Sequence, residues 1–192
     1  MDNLFKGKLV CLAGIDPEEV SKSFSTWDRD SEFRRLMDTD PPRLNTVKAT
    51  KAWLEKHFEE DQTHEYWFAI RALEDNRLLG DVELWINSWG NRDAFVGIGI
   101  GERAFWGKGY GTDAMQLILR YAFTELNLRR VSLSVFDFNE RAVRSYQKAG
   151  FRLEGRQRQV MQREGKRWDI LYMGILREEW MENNGYCISN DG

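Results

Sequence analysis

Gly107, Gly109 and Gly111 alternate with Lys108 and Tyr110 inside the segment that runs from Gly97 to Ala114. Without Cβ atoms the chain at these positions takes φ > 0 freely and comes close to a ligand. The pattern of a helix begins where the loop ends. Unpaired N–H groups and the positive end of the helix dipole therefore face one spot. The chemistry this suits is the binding of an anion, and of a diphosphate in particular. Two nucleotide readings fail on spacing. A P-loop has four residues between its first Gly and the Gly-Lys-Ser/Thr run. Here five residues separate Gly101 from Gly107, and Gly109 stands where the metal-binding hydroxyl belongs. A dinucleotide fingerprint can be written as Gly99-x-Gly101-x-x-Ala104, but a helix opening there would run into Gly107 and Gly109. A flexible loop without a ligand is the remaining alternative.

The elements that must position this loop can be read from periodicity. Lys8 to Leu12 suits a short strand, and Asp16-Pro17-Glu18-Glu19 starts a helix with a capping acid, a first-turn proline and acidic neighbours. Trp27 to Leu44 is irregular, a helix or two with a break at Pro41-Pro42, and Thr46 or Thr50 caps a helix through Trp53, Leu54 and Phe58. The period then changes to that of strands: Tyr66 to Leu73, Leu78 to Asn87 and Ala94 to Gly101 read as an antiparallel meander. After the glycine loop, Ala114, Ile118, Ala122 and Leu126 recur every four residues beside Met115, Leu119 and Phe123, which predicts an amphipathic helix. A strand over Arg130 to Val135 follows, then a short helix capped by Asn139 and stopped by Gly150, then strands near Phe151–Met161 and Trp168–Leu176 about a Glu164-Gly165 turn. The expected organisation is a single α+β domain over residues 1–182 and a polar tail over 183–192.

Bulk properties narrow the function. The chain has 192 residues, 42% of them hydrophobic and 31% charged, which supports a sizeable core. Eight tryptophans suit a pocket lined by rings, although packing also uses them. A net charge of −3 speaks against a nucleic-acid partner. Cys11 and Cys187 form neither a metal spacing nor a disulfide framework, and no secretory signal or membrane span is read from the sequence. The expected location is cytoplasmic.

Trp106-Gly107-Lys108-Gly109-Tyr110-Gly111 and Asn139-Glu140-Arg141-Ala142-Val143-Arg144-Ser145-Tyr146-Gln147-Lys148-Ala149-Gly150-Phe151 resemble the two motifs of the GNAT superfamily of N-acetyltransferases. Trp stands where the first motif usually has Gln or Arg, a departure familiar in the branch that acetylates the N-termini of ribosomal proteins. The resemblance implies a three-layer α/β/α fold on a mixed, splayed, mostly antiparallel sheet of six to seven strands. It also implies acetyl-CoA as cosubstrate. The diphosphate would rest on Trp106, Gly107, Lys108, Gly109, Tyr110, Gly111 and Thr112, with the pantetheine arm along Ile98, Gly99 and Ile100 and a further contact from Asn139.

Acetyl transfer to an amine calls for a neutral nucleophile, a holder for the carbonyl oxygen and an acid for the leaving thiolate. The resemblance makes Tyr146 that acid, and a phenol of pKa about 10 can supply the proton; on spacing alone its ring could equally be core. The general base is less evident, because Phe95 occupies the position where related enzymes often carry Glu. Asp81, Glu83 and Trp85 alternate along one strand, so Glu83 is the candidate base, a solvated strand face is the alternative, and Asp93 ranks behind. Trp27, Asp28, Trp85 and Trp89 are candidates for holding a cationic amine. No metal is expected: His57 and His64 lie apart and outside the motifs. The acceptor is left among a protein N-terminus, a polyamine, an aminoglycoside and a small metabolite. A non-catalytic module that binds acyl-CoA is the competing function, and exposed Trp residues with edge strands are compatible with a homodimer.

Overall fold

A computed structural model of the chain describes residues 3–60 and 63–185. The elements follow in the order β1 (Val10–Ala13), α1 (Pro17–Trp27), α2 (Ser31–Met37), α3 (Val47–Glu59), β2 (Glu65–Ala72), β3 (Leu78–Ser88) and β4 (Asp93–Ile100), then α4 (Tyr110–Arg120), β5 (Arg130–Phe136), α5 (Glu140–Ala149), β6 (Arg152–Arg163), β7 (Lys166–Leu176) and α6 (Arg177–Asn183). Of the polar tail expected over 183–192, Asn183 closes α6, while residues 186–192, with Cys187, lie outside the described residues.

Local chemistry explains the helix ends. Asp16 accepts the amides of Glu18 (2.8 Å) and Glu19 (3.4 Å) to open α1, and Asp30 accepts those of Glu32 (3.0 Å) and Phe33 (3.4 Å) to open α2. Of the two threonines expected to cap α3, Thr46 does so through the Ala49 amide at 3.2 Å, and Thr50 lies buried inside the helix. Gly150, at φ 105°, ends α5 in the left-handed conformation. The helix expected to run on to Leu126 is regular only to Arg120. Tyr121–Glu125 is a wide π turn in which the Leu126 amide reaches the Tyr121 carbonyl at 3.2 Å. The wider turn keeps Ala122 and Phe123 both fully buried, in line with the rows set by Ala114, Ile118, Met115 and Leu119.

The seven strands form one sheet in the order β1-β2-β3-β4-β5-β7-β6, antiparallel at every junction except β4–β5. Both faces are covered. Along β2, Ile70 packs into the larger core beneath α4, and its neighbour Ala69 packs into a second core with Val20, Trp27, Phe33 and Leu54 from α1, α2 and α3. Alternate residues of a strand point to opposite faces, so this pair places the sheet between two helical layers. Trp180 of α6 seals the first core against Phe123 at 5.5 Å between ring centres. Among the described residues no helix is long and apolar enough to cross a membrane.

Candidate active site

The parallel junction is incomplete, and the site lies in the gap. β4 and β5 pair only through Asp93–Arg130, Ala94–Val131 and Phe95–Ser132. Beyond Ser132, β5 continues its antiparallel ladder with β7, while Val96 to Ile100 of β4 keep only their β3 partners. The two strands diverge toward their C-terminal ends, where α4 and α5 begin. A cavity of about 480 Å³ fills the opening, lined by Ile98, Gly99 and Ile100 on one wall and by Ser134, Val135 and Phe136 on the other.

The mouth of this cavity is built for an anion. Gly107 and Gly109 have φ of +72° and +96°, which most side-chain-bearing residues avoid. A Cβ on Gly107 would meet nothing within 4 Å, so the bare backbone there faces open space. α4 starts directly after Gly109, so its first-turn amides have no acceptor within the helix. The one acid of that turn, Asp113, is already engaged: the amides of Lys8 (3.2 Å), Leu9 (2.7 Å) and Val10 (3.0 Å) all donate to its carboxylate. Thr112 ties α4 to α5 through Ser145, Oγ1 to Oγ at 2.7 Å. Trp106 is pinned by its Nε1, which donates to the Ile100 carbonyl at 2.5 Å. Of the expected loop residues, Trp106, Gly107, Gly109, Gly111 and Thr112 line the cavity. Lys108 is exposed outside it, and Tyr110 turns its ring against Phe105 at 4.9 Å.

Asn139 and Tyr146 enter from α5. Asn139 caps the helix, Oδ1 accepting the Ala142 amide at 3.2 Å, and also lines the cavity. Tyr146 lies two turns further on, its ring edge-on to Phe151 at 6.1 Å, and burial pushes its phenol up to about 12. It is therefore a proton-bearing group throughout the neutral range.

The opposite wall carries carboxylates. In the β2–β3–β4 register, Glu83 stands between Trp67 and Gly97, and Asp81 between Ala69 and Gly99. Cross-strand partners share a face. Each acid thus has, on the β4 side, a residue with no side chain, and both line the cavity. Trp67 Nε1 donates to Asp81 Oδ2 at 3.0 Å. Burial raises both carboxyls above their ordinary values; for Glu83 the charges of Asp81 and Glu65 add to the rise, while the Trp67 bond opposes it at Asp81. Trp85 and Phe95, ring centres 6.4 Å apart, extend the same wall, and Phe33, Leu36 and Met37 of α2 close over it. A Cβ on Gly99 would sit 2.8 Å from Met37 Cε.

The other expected amine contacts are not at the cavity. Trp27 is 4% exposed, ringed by Phe24 and Phe33, with Nε1 donating to Glu102 at 3.3 Å. Asp28 is 7% exposed, 3.5 Å from Arg34 and accepting from Asn45 at 3.3 Å. Both serve the second core, because the face of α1 that ends in Trp27 packs on the strand end at Gly101. Trp89 is exposed at the β3–β4 turn near His64 and Tyr66. Several lining residues had no expectation attached, among them Met37, whose segment gives no periodic signal, and Arg141 and Ser145, hidden inside a motif read for Asn139 and Tyr146. Among the described residues no group of three or more His, Cys, Asp or Glu could hold a metal ion.

These features fit an extended acyl carrier with a diphosphate at the mouth: open backbone along β4, free amides at α4 and a buried phenol at depth. Comparison with known proteins agrees. The family model for the acetyltransferase (GNAT) domain matches residues 10–152. A probable N-acetyltransferase of Bacillus subtilis, YjcK, is 35% identical over 92% of this chain and 98% of its own length. An uncharacterized N-acetyltransferase from the SPbeta prophage of the same organism, YokL, is 29% identical over 93% and 96%. Among solved structures, the spermidine N-acetyltransferase of Vibrio cholerae, in complex with CoA and spermine, shares the fold with a TM-score of 0.78 at 23% identity, covering 90% of this chain and 98% of that one. With the splayed β4–β5 pair, the glycine mouth and these matches together, the chain belongs to the GNAT family and is an N-acetyltransferase that uses acetyl-CoA.

Proposed function

We propose that the chain acetylates the primary amine of a small cationic molecule by direct attack, with both substrates bound at once. The observation that carries the acceptor class is the Asp81–Glu83 pair, two partly desolvated carboxyls on the cavity wall beside Trp85 and Phe95. An ammonium group arriving there meets two carboxyls, whose ionised forms its charge favours, beside the rings of Trp85 and Phe95. The spermine bound in the structural neighbour, which shares the fold, is a small amine of this kind.

In this reading Glu83 takes the place of the missing acid at Phe95. It removes a proton from the ammonium and leaves a neutral nitrogen, which bonds the acetyl carbon. Backbone N–H groups near Ile98, in the unpaired stretch of β4, hold the negative charge that develops on the acetyl oxygen. Tyr146 gives its phenolic proton to the sulfur as the C–S bond breaks. The attacking nitrogen loses its second proton to solvent as the amide forms, solvent reprotonates the phenolate, and Glu83 passes its proton to solvent. Gly107, Gly109, Gly111 and Thr112 hold the diphosphate, and Asn139 borders the arm.

Thiol release measured across a panel of polyamines, aminoglycosides, amino-acid amides and short peptides tests this. The expected result is turnover with small cationic amines and none with peptides. Turnover confined to peptide N-termini would overturn the acceptor class, and CoA binding without turnover on any amine would favour the module raised by Phe95.

A further inference from the structure

We propose that Arg141 binds a phosphate of the acyl cosubstrate and that Trp106 is the platform that aims it. The inference rests on the cosubstrate reading above and assigns a residue to it. Arg141 lies in the first turn of α5, at the end of the cavity where β4 and β5 are widest apart and where Gly107 to Thr112 open α4. Its Cζ stands 3.8 Å from the centre of the Trp106 ring, which the Ile100 carbonyl fixes through Nε1. Arg103 stands 4.6 Å from the same ring.

The two guanidinium groups differ in what they are bound to. Arg103 is neutralised by Asp30, at 2.8 Å from Nε, and by Glu32, at 2.7 Å. Arg144, the next Arg along α5, pairs with Glu140 at 3.0 Å. Arg141, among the described residues, has neither an ion pair within 4 Å nor a hydrogen bond to its guanidinium; it has only the ring. Burial lowers its pKa from the ordinary Arg value; Glu32 opposes this, and Arg103 adds to it. A half-buried cation without an anion is costly to keep, and the attraction of an aromatic face offsets only part of that cost. The arrangement makes sense when a dianion joins it. A planar fork with five donors, held over a fixed ring at the mouth of an amide-lined loop, is suited to bridging phosphate oxygens. A purely structural arginine in this position would be expected to hold a carboxylate or carbonyl, as Arg103 does.

Calorimetric titration with CoA, 3′-dephospho-CoA and pantetheine distinguishes these roles without any turnover. Arg141→Gln is expected to weaken CoA about tenfold or more, the scale of a charge-assisted hydrogen bond, and to leave pantetheine unchanged. It should also flatten the salt dependence of CoA binding, and Arg141→Lys should recover part of the loss. Equal losses for CoA and dephospho-CoA assign the diphosphate as the partner; a loss confined to CoA assigns the 3′-phosphate; both support the proposal. Trp106→Ala should lose a similar factor, and the Arg141→Gln/Trp106→Ala double variant little more. Unchanged CoA affinity in Arg141→Gln overturns the proposal, as does an equal loss for all three ligands, which would mean a distorted cleft. Additive losses in the double variant overturn the platform role. Failure of the unaltered protein to bind CoA would instead sink the cosubstrate reading itself.

Discussion

Glu83→Gln separates stability from catalysis at one atom-for-atom change. In the folded chain burial, then the charges of Asp81 and Glu65, raise the Glu83 carboxyl above its ordinary 4.5. Above that value the unfolded chain loses the proton and the folded chain retains it. A raised folded pKa means stability that is fully present below pH 4.5 and is lost as pH climbs toward the folded value. Each pH unit in that window costs up to about 1.4 kcal/mol. Between pH 5.5 and 7.5 the wild type should therefore lose roughly 2 kcal/mol relative to Glu83→Gln, after some sharing of the proton with Asp81. For a chain of this length that difference is about 4–8 °C in melting temperature. Paired urea or thermal unfolding at the two pH values measures it, with other titrating groups cancelling in the comparison. The same variant should lose about a hundredfold or more in kcat/KM, and the wild-type rate should rise with pH as Glu83 ionises. Parallel stability curves for the two proteins would refute the desolvated-carboxylate reasoning. A stabilised variant that kept its activity would place the base elsewhere.

Tyr146→Phe keeps the ring against Phe151 and removes the proton. It should lower kcat about 10²–10³-fold, with stability within about 1 kcal/mol by unfolding and CoA affinity unchanged by calorimetry; an unaltered kcat would make the ring core only. Gly109→Val puts a β-branched residue at φ +96° and a Cβ within 3.4 Å of Leu9 Cδ1. It should cost about 2 kcal/mol in chemical denaturation and most of the CoA affinity, whereas Gly14→Ala, with nothing within 4 Å, should do neither. Gly101→Ala would place a Cβ 1.9 Å from Trp27 Cδ2. The rigid indole cannot yield cheaply, so a loss of about 1–3 kcal/mol by urea unfolding is expected.

The parts of this molecule that could be read from sequence are those governed by neighbours along the chain. The Asp16-Pro17 start, the Asn139 cap, the Gly150 stop and the period-two strands each depend on a few adjacent residues, and each appears within a residue or two of its expected place. The glycine loop was legible for the same reason. What the sequence withheld depends on distant packing. Trp27 and Asp28 have the chemistry of an amine site, but Gly101 lets the indole bed against the end of β4, and that contact joins residues far apart in the chain. Lys108 and Tyr110 belong to the motif, yet alternation at the loop sends their side chains away from the cavity while their backbone stays beside it. The depth of Glu83 was also invisible: alternation placed it on a face, and only the roof of Phe33, Leu36 and Met37 decides whether that face meets solvent.

The two walls of the cavity follow from one property of β4. Its odd-numbered residues Phe95, Gly97 and Gly99 face the carboxylates of β3, and its even-numbered Val96, Ile98 and Ile100 face the core under α4. Gly97 and Gly99 on the first face leave room for an acceptor beside Glu83 and Asp81, while apolar residues on the second anchor the strand. The β5-facing edge of the same stretch is left without a ladder. In the proposed mechanism an extended acyl carrier pairing along this edge would lie in the plane of the sheet, with its thioester toward the depth where β4 and β5 meet. In that mechanism the amine approaches from the carboxylate face and Tyr146 of α5 serves as the proton donor. Base and acid can in this way flank the reacting carbon without competing for each other's proton, which a cleft open on a single face would not allow.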